Sequence, residues 1–83
     1  MVVTGEFRNW DHYTIGNKVI VGGNLHGDIR QRFRDGEWVQ SSYLTAINGD
    51  LVTTYSGSVY RLVGPPKSGV PLNLPASENS NTQ

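Results

Sequence analysis

Glycine falls at positions 16, 22, 23, 27, 36, 49, 57 and 64, and it cuts the middle of this chain into short pieces rich in Val, Ile, Thr and Tyr. Helical periodicity does not survive such interruption, whereas short strands joined by tight turns are compatible with it. Asp35-Gly36, Asn48-Gly49 and Ser56-Gly57 are two-residue turn signals, and the first two dipeptides readily take the positive φ angles of a type I′ hairpin. The pattern predicts five strands at 17–21, 25–34, 37–47, 50–55 and 58–63, arranged as an antiparallel meander. An open two-faced sheet of this size would leave apolar surface wet, so the expected fold is all-β, curling into an SH3-like or related small barrel.

The expected domain is residues 13–63. Residues 1–12 form an N-terminal cap, with a helical turn and an extra strand both open for GEFRNWDHY. From Gly64 onward proline recurs at short intervals and the last residues are small and polar, so 64–83 is expected to be a flexible, disordered tail. That leaves a core of about sixty residues, a size at which burial alone supplies about 3–5 kcal/mol. The chain has no cysteine, which excludes a disulfide framework, thiolate metal sites and thiol catalysis. Its two histidines fall short of a metal cluster, so neither metal nor cofactor is expected. A homo-oligomer is the remaining economical way to stabilise so small a core.

No run of eighteen apolar residues occurs, and MVVTGEFRNW has no apolar stretch followed by a small-residue cleavage site. The expectation is a soluble protein that stays in the cytoplasm in which it is made, with no membrane partner. Formal net charge is zero, which disfavours coating nucleic acid through bulk electrostatics but leaves a local basic patch open.

A two-residue loop at Asp35-Gly36 would set Arg34 opposite Glu37, Phe33 opposite Trp38 and Arg32 opposite Val39. Alternation then collects Ile29, Phe33, Trp38, Ser42, Leu44 and Ala46 on one face. The other two turns add Leu51 across from Ala46 and Leu62, and Thr53 across from Tyr60. This face is the expected core. The opposite face carries Arg30, Arg32 and Arg34 at alternate positions, with Ser41, Tyr43 and Thr45 on the next strand and Arg61 farther across. Guanidinium groups match phosphate or carboxylate oxygens, and a tyrosine can stack on a base, so Arg30, Arg32, Arg34, Ser41, Tyr43 and Arg61 form the candidate ligand or partner site. Against it stand Asp28, Asp35 and Glu37, close enough to make the arginines ordinary surface ion pairs worth about 0–1 kcal/mol. A bulge within 37–47 would exchange the two faces beyond it and bring Tyr43 into the core.

Other motifs carry less. GGNLHG, residues 22–27, lacks both phosphate-loop spacings and no helix follows it, so it reads as a turn into a hairpin. His26, Asp28 and Ser41 or Ser42 could supply a base, an orienter and a nucleophile, but no motif places the serine on a strained elbow or provides an oxyanion hole. No enzymatic activity is expected. Phe7, Trp10 and Tyr13 read as core or interface anchors.

GDIRQRFRDGEWVQSS, followed after a spacer by TTYSGSVYRL, resembles a group of short proteins encoded by tailed bacteriophages and proteobacterial prophages. In them a Gly-Asp pair, an Arg-Phe-x-Asp-Gly hairpin, a Thr-Ser or Ser-Ser step and a final Tyr-x-Leu strand recur in this order. The likeness covers roughly residues 15–62. It implies a small phage protein that acts by binding, most concretely by inhibiting or sequestering a component of a host bacterial defence system in the host cytoplasm. The partner would be a host defence protein or a phosphorylated small molecule such as a signalling nucleotide. Two other classes stay open: a barrel binding single-stranded nucleic acid, and a minor structural or self-assembling virion protein using its edge strands and Phe7, Trp10 or Tyr13.

Overall fold

The computed structural model describes residues 2–74. Six strands form: β1 Gly5–Ile15, β2 Lys18–His26, β3 Glu37–Gln40, β4 Leu44–Asn48, β5 Leu51–Thr54 and β6 Val59–Leu62. They make one sheet in the order β3-β2-β1-β6-β5-β4. Two antiparallel meanders, β1–β3 and β4–β6, are joined by a parallel pairing of β1 with β6, in which Phe7 faces Leu62 and Glu6 faces Arg61. The all-β class is the expected one, with two refinements: the sheet is mixed, and it curls without closing, so β3 and β4 remain edges. β4 nevertheless touches β2 across the seam. Among the described residues no helix is long and apolar enough to cross a membrane.

The N-terminal stretch is neither cap nor helical turn. It runs through the expected boundary at residue 12 as β1, in the middle of the sheet. Strict alternation hides this because β1 carries a bulge between Arg8 and Asp11 opposite β2. Asn9 sits there at φ 52°, one of the few non-glycine types that tolerate the left-handed region, and Phe7 and Trp10 both face inward although three positions separate them. Gly23 lies against the bulge, where a Cβ would come within 2.9 Å of the Trp10 Cα. Strand β2 therefore includes most of GGNLHG, which is not a turn, and the hairpin before it closes at Gly16-Asn17 between Ile15 and Lys18.

The expected strand 25–34 ends at His26, and residues 27–36 form a run of turns. The cause is Asp28. Its buried carboxylate accepts the backbone N–H groups of Arg30 and Arg32, each at 3.0 Å, a local bond that competes with a ladder. Asp35 closes the loop by accepting Gly27 N–H at 2.8 Å. Glu37 consequently pairs with Leu25 and Trp38 with Asn24, not with Arg34 and Phe33. This reverses the face assignment. Val39 is buried, Trp38 and Ile29 are exposed, and Phe33 reaches the core from the loop.

The expected strand 37–47 is broken at 41–43 and bulged at Thr45. The next turn is Gly49-Asp50 rather than Asn48-Gly49, setting Asn48 against Leu51. Across the third turn Leu51 faces Arg61, Val52 faces Tyr60 and Thr53 faces Val59. A slip of one residue moves every side chain to the other face. Val52 is therefore core, Ala46 is exposed and Leu51 only half-buried.

The core gathers Phe7, Trp10, Val21, Leu25, Val52 and Leu62, with Phe7 and Tyr60 rings 4.8 Å apart. Each such side chain contributes about 1.5–3 kcal/mol by leaving water. Residues 64–74, expected to be the start of a tail, lie against the sheet. Trp10 Nε1 donates to the Gly64 carbonyl at 2.9 Å, Lys67 N–H to the Trp10 carbonyl at 2.9 Å, and the Ser68 hydroxyl to Asp11 at 2.9 Å. Leu72 and Leu74, two residues apart, pack on the core. The remainder of the expected tail, 75–83, lies outside the described residues.

Candidate functional site

The residues expected to share one cationic face do not meet on one. Arg30 donates to the Ser58 hydroxyl at 3.2 Å and Arg32 to the Tyr60 hydroxyl at 3.3 Å, so both lean on the start of β6. Arg32 also lies 3.8 Å from Asp28. Arg34 sits in the turn before β3, where its backbone N–H donates to Glu37 at 3.1 Å. Arg61 is across the sheet, paired with Asp50 at 3.0 Å. Ser41 is a strand-end fastener: its hydroxyl accepts Val21 N–H at 3.0 Å and donates to the Ser42 carbonyl at 2.7 Å. A loop, not an alternating strand, thus brings Arg30 and Arg32 together and parts them from Arg34, Ser41 and Arg61.

The imagined nucleophile arrangement does not assemble. Ser41 pairs with Val21, five residues along β2 from His26, roughly 16 Å at the rise of a strand, and Asp28 is occupied by loop amides. Among the described residues no group of three His, Cys, Asp or Glu side chains could hold a metal ion.

Sequence reasoning missed a different surface. On the outer side of β1–β3 the register places Tyr13 against Ile20 and Asp11 against Gly22, with Gln40 on the far side of Gly22. Tyr13 is 42% exposed, Trp38 51% and Ile15 64%. A Cβ at Gly22 would stand 2.9 Å from Trp38 Cζ2 and 3.2 Å from Tyr13 Cε2, so both rings rest on the bare backbone of that glycine. The ring positions are therefore shaped by the strand beneath them. The bulge at Asn9 hid this surface: Tyr13 falls on the face opposite Phe7, although plain alternation over six residues would put both on one side.

Beside this surface an open groove of about 360 Å³ is lined by Glu6, Arg8, His26, Asp35 and Arg61. Its charges satisfy one another or their neighbours: Arg8 pairs with Glu6 at 2.6 Å, Arg61 with Asp50, and Asp35 holds Gly27 N–H. It forms a polar rim to the apolar patch.

Tyr43 has a third setting. Its ring stacks on that of Tyr55, centroids 4.7 Å apart and planes 26° from parallel, while Lys18 Nζ stands 4.5 Å from the Tyr43 centroid. Partial desolvation, and to a smaller extent the Tyr55 hydroxyl, push the Tyr43 phenol above its ordinary range. Beneath the stack Ser42 Oγ donates to Ser56 Oγ at 3.2 Å, Ser56 Oγ lies 3.1 Å from Thr54 Oγ1, and Thr54 Oγ1 accepts Ser58 N–H at 3.1 Å. This row of hydroxyls runs to Ser58, where Arg30 arrives. Tyr43 and Arg30 thus belong to the same β5–β6 turn from two sides of its sequence. Compared with protein-family models, with curated proteins and with solved structures, the chain matches none.

Proposed function

We propose that the chain is a small, non-catalytic binding protein that lays the outer face of β1–β3 on a protein partner. The observation that carries this reading is the pair of half-exposed rings, Trp38 and Tyr13, seated on Gly22 and rimmed by self-satisfied charges. Exposed aromatic side chains at the centre of a patch with a polar rim are the usual anatomy of a protein-binding surface. The resemblance to phage and prophage proteins supports a host partner met in the bacterial cytoplasm, with inhibition of a defence component as the purpose. Sequestering a phosphorylated signalling nucleotide has weaker support, because Arg32 is engaged by Asp28 and Tyr60 and Arg61 by Asp50.

Native mass spectrometry of the tagged protein recovered from a bacterial lysate tests the reading. The wild type is expected to retain one host protein in fixed stoichiometry, and Trp38→Ala and Ile15→Lys to lose it while Arg61→Ala keeps it. Retention that ignores both face variants, or a bound nucleotide in place of a protein, contradicts the proposal.

A further inference from the structure

The β5–β6 turn has a chemistry that the protein-docking face does not use. Tyr55 is 68% exposed, yet its ring has a fixed posture: it is stacked on Tyr43, and its backbone N–H donates to the Tyr43 carbonyl at 2.8 Å. Tyr43 in turn lies under Lys18. The turn beneath is pinned by the hydroxyl row from Ser42 through Ser56 and Thr54 to Ser58, and Thr54 and Ser58 are buried. A two-ring stack with one large face open to water, on a rigid turn, is more than a solvated tyrosine needs.

Two cationic side chains reach it. Lys18 reaches the stack and Arg30 reaches the turn at Ser58, and neither makes an ion pair among the described residues. Arg32 follows at Tyr60, and the carboxylate beside it, Asp28, is buried and committed to loop amides. The zero net charge of the chain therefore conceals a local imbalance, with cations gathered at this turn and the Glu6–Arg8 and Asp50–Arg61 pairs elsewhere.

We propose that Tyr55, backed by Tyr43, is a stacking platform for a base of single-stranded nucleic acid, with Lys18 and Arg30 contacting the flanking phosphates. Aromatic rings that accept bases by stacking, combined with cations that follow the backbone, are the recurring means by which small β folds hold single strands without reading sequence. Stacking is sequence-tolerant, so the site takes oligothymidylate and oligoadenylate alike. With two phosphate contacts, the affinity falls roughly 25-fold for a tenfold rise in salt.

The test is fluorescence anisotropy of 5′-fluorescein-labelled dT12 and dA12 titrated with the full chain at low ionic strength. Expected are binding of both, roughly 5- to 150-fold weakening by Tyr55→Ala, retention by Tyr55→Phe, and no change with Trp38→Ala. Because Tyr55 lies outside the strands and is exposed, its alanine variant keeps the fold, which thermal melting checks. No anisotropy change with the wild type, equal binding by Tyr55→Ala, or loss with Trp38→Ala in its place overturns the proposal. So does thymidine monophosphate competing as well as dT12 at equal concentration, since that identifies a mononucleotide site. Loss with Trp38→Ala would also give the outer face of β1–β3 to nucleic acid and so count against the host-protein reading; the other outcomes leave that reading, which turns on Trp38 and Ile15, untouched.

Discussion

The two meanders face the same interior and differ in what they show to water. β1 and β2 are 11 and 9 residues long, while β4, β5 and β6 are 5, 4 and 4. Both halves fill the core with branched aliphatics, Val21 and Leu25 from one, Val52 and Leu62 from the other. The outer side of β4–β6 carries Ala46, Asn48, Thr53 and Arg61, without an exposed ring on any strand. The outer side of β1–β3 carries Tyr13, Ile15 and Trp38. Since β4–β6 closes its share of the core without outward rings, the core does not require them on β1–β3. A clustered apolar surface that folding does not call for is where a partner is to be sought.

The sharpest way to break this contrast is to truncate the two tryptophans separately. Trp10 is 4% exposed and Trp38 51%. In urea denaturation Trp10→Ala is expected to cost about 3–5 kcal/mol, the range for emptying a large aromatic site, and Trp38→Ala less than about 1 kcal/mol. Comparable losses would place Trp38 in the core after all. The adjacent glycines sharpen the point. A Cβ at Gly23 meets the backbone of the β1 bulge, so Gly23→Ala should destabilise by about 1–3 kcal/mol, whereas at Gly22 it meets only the far ends of exposed rings and should mainly shift Trp38 fluorescence.

Asp28→Ala strands two loop amides and should cost about 1–3 kcal/mol, with faster hydrogen exchange at Arg30 and Arg32 as its local signature. It should leave the outer face of β1–β3 intact. The smallest effect concerns Asp11, where the segment 64–74 meets β1. Its carboxyl is held below the ordinary value of 3.8 chiefly by the His12 N–H, with help from the Ser68 hydroxyl. A depressed folded-state value contributes stability that is present above about pH 4 and is lost as pH falls through the folded-state value. Asp11→Asn should therefore differ slightly from wild type near neutrality and converge with it in acid. A gap that widens below pH 4 would contradict that sign.

Much of the architecture was legible because glycine spacing and β-branched composition leave little besides strands. The details failed where one local bond decided between two registers. Asp28 and Asp35 drew residues 27–36 into turns, although their alternation of arginines reads as a strand. Gly49-Asp50 took the turn that Asn48-Gly49 advertises, and Asn9 inserted a bulge that conceals the amphipathic pattern of β1. Much of the stretch from Gly27 to Ser42 and from Thr53 to Leu62 has internal duties of this kind. Asp28 and Asp35 build the loop, Phe33 packs on the core, Ser41 ties β3 to β2, and Tyr60 receives Arg32. Trp38 and Tyr55, each within these stretches, make no such internal hydrogen bond through their side chains among the described residues, and Tyr13 lies before them. Residues engaged in building the fold point less directly to a binding surface than those the fold leaves exposed.

Acrylamide quenching of the two single-tryptophan variants, Trp10→Phe and Trp38→Phe, tests the exposed-face account most directly. The protein retaining Trp38 is expected to emit at long wavelength and be quenched readily, and the one retaining Trp10 to emit to the blue and be shielded. A Trp38 signal as blue and as protected as that of Trp10 would show that no aromatic face is presented to a partner.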